Sequence, residues 1–407
     1  MKIKFQVINR EFTLFIVSRI IFTSGMKMVP VLLGWYLYEI TGSKLALGIL
    51  GLSEVIPAVL LALPAGVKVD SSHKRSLILK CLLVYFVITL AFAAVTSGGL
   101  FFPGNIGKPY LIYAFVGFTG LVRAYISPSF SAILAQIVRP EDLVKAASVN
   151  SMSWLIAAVL GPLIAGFMVG WWQVSISFCI VSVLMIIAGV IFSRIGEKEV
   201  SYDRGKTKTW ESMKEGIEFV WNQKALLGAM GLDMFAVLFG GAIALLPVYA
   251  KDILQVGPQA FGLLMSATYL GNFIAIFFLT KYPLDNRQGF KLMYSIAGFG
   301  VCIIIFAISK SFWISFSALL VSGLFDGVSV IIRGTIFQLL VPDHMRGRVS
   351  SVSSVFINSS NELGQFESGV AASLLGTVPS VIFGGCMTLL VTAIAWVKTP
   401  ALKKLEY

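Results

Sequence analysis

Twelve apolar stretches punctuate the chain, at about 12–38, 45–66, 76–97, 109–137, 143–170, 173–193, 225–250, 258–280, 289–309, 311–340, 346–374 and 379–397. Most exceed the ~20 residues that a helix needs to cross a hydrocarbon core, which predicts tilt or extension beyond the bilayer. Strands of a membrane barrel would instead alternate apolar and polar positions in runs of about ten. The pattern predicts an all-α membrane protein with twelve transmembrane helices. The first stretch follows basic residues (Lys2, Lys4, Arg10) as a leader peptide would. It runs on to about Tyr38 without a small-residue cleavage site, so a retained first span is expected.

Composition narrows the function. Of 407 residues, 57% are hydrophobic and 13% charged, against about 25% charged in a soluble domain. About 230 apolar residues are more than a soluble fold of this length buries, which argues against a soluble enzyme, a disulfide scaffold or a nucleic-acid-binding domain. The net charge of +12 would suit nucleic acid, but no Arg-rich face with interleaved aromatics lies outside the apolar stretches. It is explained better by the loops. The N-terminus, the even-numbered loops and the C-terminal tail carry 23 Lys and Arg; the odd-numbered loops carry Lys44, Lys108, Lys251 and Lys310. That asymmetry predicts both termini in the cytoplasm and the Trp171-Trp172 turn at the outer interface. Cys81, Cys179, Cys302 and Cys386 lie in apolar runs without CxxC spacing and read as small core residues. With only His73 and His344 besides, no metal site, cofactor or catalytic cluster is expected.

The longest polar stretch, about 194–224, divides the chain. It predicts one six-helix half over 1–195, a cytoplasmic linker over 196–224 and a second six-helix half over 225–407. Around Trp210-Glu211-Ser212-Met213-Lys214-Glu215 the linker turns amphipathic, and either a surface helix or a solvated loop fits. An internal repeat supports the halves. Arg139-Pro140-Glu141-Asp142 with Ala147-Ser148-Val149-Asn150-Ser151 returns 202 positions later as Val341-Pro342-Asp343-His344 with Val349-Ser350-Ser351-Val352-Ser353. In each, Pro opens a helix and acidic residues follow in its first turn, where they complement the helix dipole. Two halves related by an axis along the membrane normal is a transporter arrangement.

The segment Gly66-Val67-Lys68-Val69-Asp70-Ser71-Ser72-His73-Lys74-Arg75 resembles the major facilitator superfamily signature G-x-x-x-D-R-x-G-R-R between spans 2 and 3. Ser71 stands for its first Arg and His73 for its second Gly. Leu284-Asp285-Asn286-Arg287 echoes it between spans 8 and 9. Gly231-Leu232-Asp233, Leu238-Phe239-Gly240-Gly241, Leu245-Leu246-Pro247-Val248-Tyr249-Ala250, Phe325-Asp326 and Val330-Ile331-Ile332-Arg333-Gly334-Thr335 resemble the branch that includes the enterobactin exporter. So do Pro342-Asp343-His344-Met345-Arg346-Gly347-Arg348-Val349 and, most distinctively, Ser360-Asn361-Glu362-Leu363-Gly364-Gln365-Phe366-Glu367-Ser368-Gly369. The resemblance implies a monomeric secondary active carrier in a bacterial-type inner membrane. It further implies proton antiport that exports a small organic molecule, a siderophore in the first place, by alternating access. Multidrug efflux or lysophospholipid transport on the same fold is the alternative. Independently, no G-x-x-x-x-G-K-[ST] loop is present for ATP.

Charges inside spans carry the candidate chemistry, because each costs at least about 2.5–3.5 kcal/mol on insertion scales. They are Arg19 and Lys27 (span 1), Glu54 (span 2), Arg123 (span 4), Asp233 (span 7), Asp326 and Arg333 (span 10), and Glu362 and Glu367 (span 11). Asn358, Asn361, Glu362 and Gln365 form one polar stripe at 100° per residue, either hydrogen-bonded between helices or lining a cavity with Glu362 as a proton site. Glu367 points about 90° away. Asp326 and Arg333 share a face but lie ~10 Å apart along the axis, so each is expected to reach partners on other spans. Lys27 either attracts an anionic cargo or pairs with Glu54, and Arg19 is expected to snorkel toward the inner interface. By resemblance, Gly66, Asp70, Lys74 and Arg75, with Asp285, Arg287, Arg346, Gly347 and Arg348 in the second half, form a cytoplasmic gate in which the cations bind carboxylates.

Overall fold

The computed structural model describes residues 9–97, 107–198, 209–282, 284, 287–342 and 345–403; of some further helical residues, Asp70, Trp210 and Asn358 among them, only the backbone is described. Among these residues fifteen helices follow one another, beginning with α1 (Arg10–Thr41), α2 (Lys44–Asp70), α3 (Lys74–Val95), α4 (Lys108–Ile137), α5 (Leu143–Trp171), α6 (Val174–Ser193), α7 (Thr209–Asn222) and α8 (Lys224–Phe239). Then come α9 (Leu246–Val248), α10 (Pro258–Lys281), α11 (Gln288–Ile308), α12 (Phe312–Leu340), α13 (Arg346–Leu375), α14 (Thr377–Lys398) and α15 (Pro400–Lys403). With Lys224–Ile253 taken as one span, eleven segments among the described residues are long and apolar enough to cross a membrane. The twelfth long helix is α13, whose 30 residues carry the polar stripe.

Local chemistry sets the ends. Asn9 caps α1: its Oδ1 accepts from the Phe12 amide at 2.7 Å, which satisfies one of the helix's orphan donors. Gly42, at φ +60°, turns the chain between α1 and α2, and the Ser43 hydroxyl then accepts from the Ala46 amide. Gly376, at φ +91°, does the same between α13 and α14; both conformations favour a residue without a Cβ. Pro140 opens a short 3-10 turn, Pro140–Asp142, before α5. Its repeat partner Pro342 precedes α13, but Asp343 and His344 lie outside the described residues.

The chain clusters into two compact units, Met1–Ile40 with Ile56–Arg204, and Thr41–Val55 with Gly205–Tyr407. In this grouping the first turns of α2 fall with the second unit, and the segment expected as a separate linker is divided after Arg204. Gly48 is the reason at atomic scale, since a Cβ there would lie 3.1 Å from the Gly369 Cα on α13.

In the first unit, aromatic rings form the core. Phe130 on α4 packs against Phe15 and Phe22 on α1 and Phe192 on α6, with ring centroids 5.8–6.2 Å apart. Short hydroxyls tie helices together: Ser18 donates to the Ala188 carbonyl, Ser175 to the Ala93 carbonyl and Ser182 to Thr89. Such bonds are the usual glue where lipid removes the hydrophobic drive between helices. The opposite faces are apolar and bare, as Leu83, Val84, Val87 and Leu90 on α3 and Val183, Ile186, Ile187 and Val190 on α6 show. Cys179 and Cys386 share this exposure, so only Cys81 and Cys302 are the buried residues expected of all four. An apolar run in a membrane helix has a lipid face as well as a core face.

In the second unit, α10 and α12 touch backbone to backbone. A Cβ at Gly271 would meet the Leu320 carbonyl, and one at Gly323 the Thr268 carbonyl. The seventh span is discontinuous. After α8, Gly240-Gly241 leads into a 3-10 turn (Ala242–Leu245), α9 and a π-helical turn, Tyr249–Ile253. The Ala236 carbonyl at the break accepts from the Gly240 amide at 2.8 Å and from the Thr388 hydroxyl of α14 at 3.3 Å. Re-satisfying freed backbone groups from a neighbouring helix is what lets a membrane helix break. At the start of the second unit's main segment, α7 is a surface helix whose buried Val220 joins a core with Leu226, Val349 and Val352.

Candidate functional site

The densest group of intramembrane charge is in the second unit. Asp233 sits mid-way along α8 and is buried. Arg333 reaches it from α12, and the two form an ion pair through Nη1 and Oδ2. The same guanidinium points Nη2 at Asp326 Oδ1, 3.9 Å away. Its Nε donates to the Ser329 hydroxyl at 3.2 Å. Asp326 is held in turn by Asn272 of α10, whose Nδ2 donates to Oδ2 at 2.8 Å. Five side chains from three helices therefore form one network around a single cation and two carboxylates. Partners on other spans were expected for Asp326 and Arg333, and each has one. The expectation that they are too far apart for each other is corrected: seven residues put the Cα atoms about 10 Å apart, but the long arginine stem closes most of that gap. Asn272 and Ser329 are additions that hydropathy could not supply, since uncharged polar residues cost too little in a span to stand out.

A small cavity opens beside this network, lined by both carboxylates, by Ser295 and Ser329, and by Phe299 and Phe325. It has room for about one water molecule. Water, hydroxyls and two carboxylates with one arginine make an arrangement that can take up and release a proton. Bare of protons the triad carries one net negative charge; with one proton it is neutral. Neutrality is the cheaper state in a low-dielectric interior.

On α13 the polar stripe divides. Glu362 is buried, and the Gln365 side-chain amide donates to its Oε2 at 2.8 Å. Asn361 is exposed and donates to the Ile357 carbonyl one turn back. Glu367 is half-buried. In the first unit, Lys27 places Nζ 5.1 Å from the Trp154 ring centre, where α1 and α5 approach so closely that a Cβ at Gly161 would lie 2.7 Å from the Ser24 carbonyl oxygen. Arg123 on α4 and Glu54 on α2 are half-buried. Arg19 keeps Nε and Nη1 buried without a hydrogen-bond acceptor, and its guanidinium lies 5.3 Å over the Phe130 ring.

The described gate motif cations meet carbonyls in the first unit and a carboxylate in the second. Arg75 donates from Nη2 to the Ser193 carbonyl at the end of α6, at 2.6 Å, and Lys74 Nζ donates to the Ser72 carbonyl at 3.1 Å. A cation at a helix C-terminus is favoured by the exposed carbonyls and the dipole, which explains how Arg75 is engaged without a carboxylate. The carboxylate on this face, Glu197, stands 3.6 Å from His73. Open space surrounds the Cα of Gly66, and Asp285 lies outside the described residues. Arg287 precedes α11 in a left-handed conformation, φ 52°. Arg348 pairs with Glu215 of α7, and Arg346 donates to the Gln338 carbonyl; Gly347 between them has open space around its Cα.

Comparison with known proteins places this geometry. The staphyloferrin A transporter of Staphylococcus aureus is 23% identical over 379 residues, covering 92% of this chain and 93% of its own. The lysophospholipid transporter of Photorhabdus laumondii is 24% identical over 253 residues, covering 56% and 58%. Among solved structures, a bacterial homologue of the human lysosomal transporter Spinster superposes with a TM-score of 0.77 at 14% identity, over 98% of this chain and 99% of that one. The sequence profile of the Major Facilitator Superfamily matches residues 15–365. The protein is therefore a multi-pass membrane transporter rather than an enzyme, and it belongs to the major facilitator superfamily.

Proposed function

We propose that this transporter is a proton-coupled exporter of a small, anionic, siderophore-like molecule. It works by alternating access in the cell membrane with both termini in the cytoplasm. The observation that carries the reading is Arg333 held between Asp233 and Asp326 beside a water-sized cavity. One cation against two carboxylates creates a place for one proton. Asp326 is the carboxylate that takes it, because Asp233 is the closer partner of Arg333 while Asp326 leans toward the neutral amide of Asn272. A proton entering from outside would neutralise Asp326, and its release inside would restore the charge. Glu362, buried on α13, is the second acidic group assigned to proton movement, with Glu367, Asn358, Asn361 and Gln365 on the same helix. Lys27 and Arg123 in the first unit favour an anionic cargo, with Glu54 as the acid on α2. The residues of the cytoplasmic motifs, Gly66, Asp70, Lys74, Arg75, Asp285, Arg287, Arg346, Gly347 and Arg348, are assigned to closing the inner side. Similarity to a staphyloferrin A transporter along almost the whole chain supports the choice of cargo.

The test is paired metabolite profiling of cells and medium under iron starvation. It compares a deletion strain with the same strain complemented by the native gene or by Asp326→Asn. An iron chelator that vanishes from the medium, accumulates in the deletion cells and returns only with the native gene supports the reading. Unchanged chelators overturn the cargo, and full rescue by Asp326→Asn overturns the proton site. Lysophospholipids, the cargo named for the shorter match, would then be assayed next.

A further inference from the structure

Arg19 is unlike the other cations of the spans. Its Nε and Nη1 are buried without an acceptor, and it forms no ion pair among the described residues. The acid at the start of the same helix is engaged elsewhere: Glu11 accepts from Lys198 at 2.7 Å and from the Gly196 amide at 2.9 Å. Arg333, by contrast, has two carboxylates and a hydroxyl; Arg75 also buries its Nε without an acceptor but donates Nη2 to a helix-end carbonyl, whereas Arg19 has no acceptor at all among the described residues. Under Arg19 lies a rigid floor. Phe130 is 4% exposed and is wedged among Phe15, Phe22 and Phe192, so the guanidinium rests on a fixed aromatic surface. The residue as a whole is half-buried, and Nη2 is not among its buried atoms, so a ligand approaches the fork at that nitrogen.

Buried donors without partners are rare in folded proteins, and a charged one demands an explanation. The planar guanidinium fork fits carboxylate and phosphate oxygens. We propose that Arg19, seated on the Phe130 floor of the first unit, is an oxyanion-binding group that takes a carboxylate or phosphate of the transported molecule. This rests on the transport reading above and names the part of the cargo that the first unit holds. It also explains the cation–π seat. The ring positions the guanidinium in the absence of cargo without competing for its N–H donors.

The test uses purified full-length protein in detergent, with no proton gradient. Thermal unfolding is followed with citrate and with lysophosphatidylglycerol as probes, for the native protein, Arg19→Gln and Arg19→Lys. The proposal expects ligand-free Arg19→Gln to melt no lower than the native protein, since a buried charge with no partner is removed. It expects at least one probe to stabilise the native protein. The half-saturating concentration should rise about tenfold or more in Arg19→Gln and less in Arg19→Lys, which keeps the charge without the fork. A response to citrate assigns a free carboxylate cargo, and a response to the lysolipid alone assigns a headgroup phosphate. Two results overturn the proposal. One is a lower melting point for ligand-free Arg19→Gln together with equal probe responses, which would make Arg19 a structural cation. The other is no native response to either probe up to millimolar concentration. Because binding is read at equilibrium, failure of proton coupling at Asp326 would leave these outcomes unaffected.

Discussion

Arg333 is the residue on which the second unit's charge balance turns. Replacing it with Met would leave Asp233 buried and unpaired beside Asp326, and breaking a buried pair from one side costs about 3–5 kcal/mol. Arg333→Met is expected to lose most of its folded population, read by denaturation in mixed micelles. Asp326→Asn keeps the Arg333–Asp233 pair and an acceptor oxygen for Asn272, so its stability should change by less than about 1 kcal/mol. Transport in proteoliposomes by that variant should become independent of pH in the range where the native protein responds. On α13, Glu362→Gln retains an oxygen for the Gln365 amide. It is expected to reach the membrane at native levels while pH-driven counterflow is abolished. Normal counterflow would leave the triad alone as the proton path.

At the scale of single helices, the break in the seventh span rests on few bonds. Thr388→Val removes one of the two donors to the Ala236 carbonyl, a loss of about 0.5–1.5 kcal/mol. Gly323→Val drives a side chain into the Thr268 backbone; neither helix can yield locally, so fluorescence-detected size exclusion should show aggregated or absent protein. The ion pair between Arg348 and half-exposed Glu215 is a weaker element contact, and Glu215→Ala should cost under about 1 kcal/mol. Helix positions were readable because apolar runs of more than ~20 residues have few other outcomes. The sequence also read α13 as a span despite its stripe, since Phe356, Ile357 and Leu363 supply an apolar exposed face between the polar positions. The break at Gly240 was not readable: Gly and Pro are tolerated in continuous membrane helices too, and the deciding contacts come from Phe299 and Gly364, far away in the chain. Asp233, Asp326 and Arg333 were legible as candidates through their cost in lipid. Their grouping was not, because hydropathy carries no information about which face meets which.

For the whole molecule, the positive-charge asymmetry predicts which loops face inward. Single cysteines at Trp172 and at Lys214, both exposed, introduced after removing exposed Cys179 and Cys386, provide the check. An impermeant maleimide added to intact cells should label position 172 and leave position 214 unlabelled until the membrane is opened. The opposite pattern would invert the topology. Grouping of Thr41–Val55 with the second unit could not be drawn from sequence, because span boundaries mark where the chain leaves the membrane and not which neighbours a helix packs against.

The triad of Asp233, Asp326 and Arg333 also has an electrical consequence. Carrying a proton it is neutral, and without one it has a charge of −1. As far as this group is concerned, the transmembrane voltage acts on the cycle only in the unprotonated half. A full elementary charge crossing 100 mV is worth about 2.3 kcal/mol, and a group part-way through the field experiences a fraction of that. On the proton-site reading proposed above, hyperpolarisation should therefore alter the speed of the unprotonated return more than that of the protonated step, so that one arginine between two aspartates would sense voltage as well as protons.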